Sequence, residues 1–130
     1  AECIAICQLQ EIINQKYENL STGGKQRLAL AKSIINEPEL LFLDEPTIGL
    51  DPNVSRQIRQ QIQKMHREKK MTILLTTHYM KEAEELCERI YFIKNGRIIT
   101  TGTPAEIELQ TRSKDMEDAF IELAQSDNRV

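Results

Sequence analysis

Two short apolar runs that each end in polar residues constrain this chain most. "LLFL", Leu40–Leu43, runs straight into Asp44-Glu45-Pro46, and "MTILL", residues 71–75, runs into "TTH", which closes on Thr77-His78. A short, wholly apolar run that follows a helical stretch reads as a strand of a parallel sheet, covered on both faces. Two adjacent carboxylates at the end of such a strand are costly unless something positive meets them. A magnesium ion satisfies that requirement, and so does a role for one carboxylate as a base.

The rest of the chain supplies helices around these runs. In "AECIAICQLQEIINQ", Ile4, Cys7, Leu9, Ile12 and Ile13 fall largely on one helical face, so an amphipathic helix is expected to end near Tyr17. "LSTGGKQRLALAKSIINEPE" predicts a turn and then a helix, with Ser21 as N-cap, Leu28, Ala31 and Ile35 as the apolar stripe, and Asn36 and Pro38 as the stop. "PTIGLDPN" is a loop. Asp51 then caps a helix that has Pro52 at its first position and Ile58, Ile62 and Met65 on its inner face. "YMKEAEELCER" predicts a short helix, and "RIYFIKNGRIITTG" a hairpin turning at Asn95-Gly96. Thr103-Pro104 with Glu106 starts another helix as a capping box, and "SKDMEDAFIELA" is a final amphipathic helix.

Alternating helices and strands define an α/β layer, mostly parallel, with helices and a carboxy-terminal β-hairpin. In open parallel sheets ligands bind beyond the carboxyl ends of the strands. Asp44-Glu45 and Thr77-His78 are therefore expected at one rim. At 130 residues the chain suits one modest domain, and 40% apolar content is enough for a core. A formal net charge of −3 gives no support for general electrostatic binding of nucleic acid, and the basic cluster Arg67, Lys69, Lys70 reads as a solvated helix end. No stretch approaches the roughly 18 uninterrupted apolar residues of a membrane span. Cys3, Cys7 and Cys87 lack the second pair or neighbouring His of a zinc set and read as reduced, partly buried thiols.

Asp44 followed by Glu45 at a strand end suits nucleotide hydrolysis. The first carboxylate can hold magnesium against phosphate oxygens, and the second can polarise an attacking water. His78, on the neighbouring strand, has a hydrogen-bond donor to offer a terminal phosphate. "LSTGGKQR" is a second phosphate candidate, because a small-residue turn at a helix N-terminus presents unpaired N–H groups and the positive end of the helix dipole. Ser21 adds a hydroxyl, and Gly23 allows close backbone approach. The plainer alternatives are a pair of surface carboxylates in a loop and an ordinary N-capped helix.

"LSTGGKQR", "LLFLDEP", "IGLD" and "TTH", in this order, resemble the signature motif, Walker B, D-loop and H-loop of ATP-binding cassette (ABC) ATPases. Asp44 lies 23 residues after Ser21, a spacing similar to that of the family. The resemblance runs from about Tyr17 onward and implies a partial P-loop NTPase layer. Residues 1–36 would be the end of a helical subdomain with the signature, residues 37–103 a core from Walker B to the hairpin, and residues 104–130 carboxy-terminal helices. It implies ATP and Mg2+ as cofactors. Asp44 would hold the metal, Glu45 would be the catalytic base, and His78 would be the switch residue on the γ-phosphate. Ser21 and Gly23 would touch ATP held by a second ABC ATPase domain, and Asp51 would act across the interface with it. The further partners implied are transmembrane permease subunits, with the chain peripheral on the cytoplasmic face of the cell membrane.

The pattern departs from the family in three places. Thr22 and Gly24 stand where the signature commonly has Gly and Gln. The Ser-Thr-Gly form, with the closing "MEDAFIELA", is similar to the multidrug-exporter and ABC-2-type branch. No P-loop, G-x-x-x-x-G-K-[ST], is present, since the only Gly-Lys is Gly24-Lys25, Asn19 stands where its first Gly belongs, and Gln26 follows the Lys. The resemblance therefore implies the carboxy-terminal portion of an ABC ATPase domain that needs a P-loop segment as partner. Alone it is expected to bind ATP weakly or not at all, and to self-associate through an uncovered strand edge. The alternative is a non-catalytic truncated module that pairs with a complete ATPase. A DNA-repair, chromosome-organising or translation-factor relative is a further alternative, though the first 16 residues show no sustained heptads.

Overall fold

Strand β1, Leu40–Asp44, and strand β2, Thr72–Thr76, pair in parallel and in full register, from Leu40 opposite Thr72 to Asp44 opposite Thr76. They belong to the computed structural model of the chain, which describes residues 2–125. The ends of the expected segments 1–36 and 104–130, residue 1 and residues 126–130, lie outside the described residues. The chain forms two compact units, Ala1–Thr76 and Thr77–Val130.

In the first unit, helices α1, Glu2–Ile6, α2, Thr22–Ile34, and α3, Pro52–Lys69, pack on one another. Helix α3 forms as the sequence predicts. The Asp51 side chain accepts from Asn53 N and Val54 N at 3.0 Å each, Pro52 occupies the first turn, and Ile58, Ile62 and Met65 are buried. The helix stops where Lys70 turns left-handed at φ 50°. Lys69 then ties three segments together through Glu2 at 2.8 Å and Glu37 at 3.4 Å.

Three expectations need correction. The first helix ends at Ile6, far short of Tyr17. Gln8 turns left-handed at φ 52°, its N–H donates to Ala5 O at 3.2 Å, and Leu9 N–H donates to Ile4 O at 2.9 Å. That bond pair is a Schellman stop, which satisfies the last carbonyls and folds Leu9 back into the core. The buried stripe of α2 runs through Leu30, Ala31 and Ile34, while Ile35 lies exposed beyond the helix end, because the chain leaves the helix through a left-handed Glu37. Finally, β1 is covered on one face only. Leu41 and Leu43 are buried, but Phe42 is 66% and Leu74 of β2 51% exposed. Among the described residues this sheet has two strands, and the Leu40, Phe42, Leu74 side lies open.

The second unit is a hairpin under three helices. Strands β3, Ile90–Lys94, and β4, Arg97–Gly102, are antiparallel and turn through Asn95 and Gly96 at φ 50° and 73°. Two positive φ values in succession make the expected type I′ turn. Helices α4, Met80–Leu86, α5, Pro104–Thr111, and α6, Met116–Gln125, bury Ala83, Ile107, Met116 and Ala119 against Ile90 and Phe92. The capping box of α5 is complete, with Glu106 N donating to Thr103 Oγ1 at 3.2 Å and Thr103 N to Glu106 Oε2 at 2.8 Å.

Candidate functional site

The parallel register sets the site. Because β1 and β2 end together, Asp44 and Thr76 sit side by side at the carboxyl end of the pair. The Thr76 hydroxyl donates to Asp44 Oδ1. Glu45, the next residue, leaves the strand in a left-handed conformation at φ 44°. Its N–H donates to Thr76 O at 2.9 Å and lies 3.3 Å from Thr76 Oγ1. Asp44 is exposed and Glu45 half-buried.

Beyond Glu45 the chain makes a compact loop to Asp51. Ile48 N donates to Glu45 O at 3.1 Å and Leu50 N to Thr47 O at 3.3 Å, Thr47 is buried, and Gly49 supplies a positive φ of 72°. Gln26 of α2 clamps this loop by donating from Nε2 to Pro46 O at 2.7 Å. The first turn of α2 is also pressed against α3. A Cβ on Gly23 would lie 2.7 Å from Val54 Cγ1, so a side chain there would force the two helices to shift. Arg27 and Gln57 hold the same pair of helices at 3.4 Å.

Ser21 caps α2 by accepting from Gly24 N at 3.0 Å. A hydroxyl accepting through a lone pair still has its proton to donate. The Thr22 and Gly23 N–H groups belong to the first turn, which has no intrahelical acceptors. Lys25 lies over the Tyr17 ring, 5.1 Å from its centroid. The first unit carries Ser21, Gly23, Asp44, Glu45 and Asp51, and the Gln26–Pro46 bond links α2 to the loop that joins Glu45 to Asp51. His78 follows β2 by two residues but belongs to the second unit, where it is exposed and its ring stands 4.3 Å from that of Tyr79.

The donor set at the strand end fits magnesium. It offers hard carboxylate oxygens from Asp44 and Glu45, and Mg2+ is usually held by one or two carboxylates with waters and phosphates rather than by a full protein cage. Among the described residues no cluster of three or more His, Cys, Asp or Glu side chains is arranged for a metal.

Residues 4–48 match the ABC transporter family. The chain is 43% identical over 120 residues to the probable multidrug ABC transporter ATP-binding protein YbhF of Escherichia coli (strain K12), covering 88% of this chain and 20% of that protein. This chain belongs to the ABC transporter ATP-binding family. Its fold is that of ABC ATPases. A solved ATP-binding subunit of an ABC transporter superposes with a TM-score of 0.75 at 28% identity, over 95% of this chain and 52% of that one. The dimeric ATP-binding cassette MJ0796, in a post-hydrolysis state bound to ADP and Pi, superposes with a TM-score of 0.67 at 31% identity, over 78% of this chain and 44% of that one. The chain therefore spans about a fifth of the curated relative and about half of the solved ABC ATPases. ABC ATPases bind and hydrolyse ATP.

Three residues that contact the candidate site residues or their loop have no role that a motif in the sequence assigns: Thr76, Gln26 and Val54. Thr76 was legible in principle, because aligning the two apolar runs on their polar ends puts it opposite Asp44. Gln26 and Val54 carry no signal of their own, since their partners lie 20 and 31 residues away.

Proposed function

We propose that the chain forms part of the ATP-hydrolysing subunit of an ABC transporter of the exporter type. One observation carries the reading: two adjacent carboxylates stand at the carboxyl end of a parallel strand pair, and Gln26 ties their loop to the Ser21-capped helix. Asp44 would hold Mg2+, which would offset negative charge on the phosphates of ATP. Glu45 takes a proton from the attacking water, and its left-handed backbone, pinned to β2, fixes the direction of its side chain. Ser21 offers its hydroxyl proton, and the first N–H groups of α2 their positive dipole end, to the terminal phosphate of ATP held by a second ABC ATPase domain. Asp51 works at that same interface, and His78 donates to the γ-phosphate of this chain's own nucleotide. The three-part division at residues 36/37 and 103/104 belongs to the same reading.

The 130 residues contain no G-x-x-x-x-G-K-[ST] motif. The phosphate cradle and its lysine are therefore supplied by another segment, which lies against the open Leu40, Phe42, Leu74 face. Permease subunits complete the transporter, with this chain on the cytoplasmic side. Among the described residues no helix is long and apolar enough to cross a membrane. The lack of a P-loop motif also favours a second reading, a non-catalytic module that lends only Ser21 and Gly23 to a complete ATPase. Calorimetry with Mg-ATP tests the first against the second. The first reading expects no binding to the chain alone, and saturable binding, lost in Asp44→Asn, once a family P-loop segment is supplied. Binding that Asp44→Asn leaves intact would favour the second.

A further inference from the structure

We propose that Thr76 is the positioning residue for the two carboxylates: it sets the Asp44 rotamer and holds the Glu45 backbone in its left-handed turn, so that both face a divalent cation in one fixed arrangement. The inference rests on the reading of Asp44 and Glu45 given under Proposed function. Thr76 makes three bonds at the strand end. Its hydroxyl proton goes to Asp44 Oδ1, its hydroxyl oxygen faces Glu45 N at 3.3 Å, and its carbonyl accepts from the same N–H at 2.9 Å. A hydroxyl has one proton and two lone pairs, so the two side-chain bonds are compatible.

One bond acts on a side-chain rotamer and the other on a backbone turn. Asp44 is exposed, so nothing in the packing selects its rotamer. The bond to Oδ1 does, and it leaves Oδ2 to meet a cation. Glu45 carries a side chain at φ 44°, a region that non-glycine residues rarely occupy unless their surroundings fix them there. The carbonyl bond alone extends the strand ladder by one residue. The hydroxyl adds a second acceptor on the same N–H and links it to the neighbouring carboxylate. Serine supplies both bonds. Valine keeps the β-branched shape that suits a strand but supplies neither.

The test uses the full chain and Mn2+ as the probe, read by NMR. Wild type is expected to show Mn2+ broadening of the Asp44 and Glu45 amides, and Asp44→Asn to lose it. Thr76→Val is expected to raise the Mn2+ midpoint about fivefold or more and to speed exchange of the Glu45 amide, while Thr76→Ser stays near wild type. Thr76→Ala, which introduces no new bulk, gives the same result as valine and stands in if the valine variant does not fold. If Thr76→Val and Thr76→Ala match wild type while Asp44→Asn loses the metal, the positioning role is overturned and the site reading survives. If the serine variant fails as valine does, the hydroxyl is not the cause and the proposal is likewise overturned. If Asp44→Asn binds Mn2+ as wild type does, the site reading fails and takes this inference with it.

Discussion

Gly23→Ala puts a methyl carbon 2.7 Å from Val54 Cγ1. Carbon atoms in favourable contact stand about 3.5–4.0 Å apart, so one of the two helices must yield by about 1 Å. Val54 cannot rotate away cheaply, because a β-branched side chain in a helix has one strongly preferred rotamer. Overpacking of this kind costs about 1–3 kcal/mol. Replacing a helical glycine returns up to about 1 kcal/mol of backbone entropy. Taking the middle of each range leaves a net loss of about 1.5 kcal/mol. Val54→Ala removes the obstructing methyl, so the double variant should recover most of the loss, with a coupling energy of about 1–2 kcal/mol. Urea unfolding followed by circular dichroism gives all four stabilities, provided the slope with denaturant is unchanged. A Gly23→Ala variant as stable as wild type, or a loss that Val54→Ala does not relieve, would refute the packing account of this glycine.

Burial, with a smaller contribution from Cys3, pushes the Cys7 thiol up to about 11, and burial also raises Cys87. Both should resist iodoacetamide at pH 8 in the folded chain and react when urea is added; fast labelling of Cys7 in the folded state contradicts its placement. Hydrogen bonding to Lys69 holds the Glu2 carboxyl below its ordinary value, so this tie stabilises the fold above the unfolded-state value and is lost as pH falls through the lowered one. Wild type and Glu2→Gln should therefore differ in melting temperature at neutral pH and converge in acid, and parallel curves would show that the tie contributes nothing. Phe42→Lys, on the open strand face, should leave stability within about 0.5 kcal/mol and shift sedimentation toward monomer. Wild type sedimenting as a monomer at high concentration would remove the apolar face as a cause of association.

What could be read from the sequence was local. Asp51-Pro52, Thr103 with Glu106 and Asn95-Gly96 act within four residues, and each forms the cap or turn that its chemistry dictates. The strand ends at Asp44 were legible for the same reason, since a carboxylate pair after an apolar run cannot stay inside a core unpaired. The first helix was overread because its apolar spacing continues past Ile6, while its stop is made by Gln8, a residue with no special claim to left-handed backbone. The open side of β1 was hidden because "LLFL" looks the same whether one face is covered or two. Of the proposed site, Asp44, Glu45, Ser21 and Asp51 could be named from local sequence alone. The groups that hold them, Thr76 and Gln26, depend on register and helix packing across long stretches of chain.

The most direct measurement is ATP turnover by Glu45→Gln in the subunit completed with its P-loop segment. Removing the base while keeping the side-chain shape should preserve Mg-ATP binding and slow hydrolysis by about 100-fold or more. ATP would then accumulate on the protein without being consumed. Turnover within a few-fold of wild type would contradict the assignment of Glu45, and with it the claim that the carboxyl end of β1 is where hydrolysis takes place.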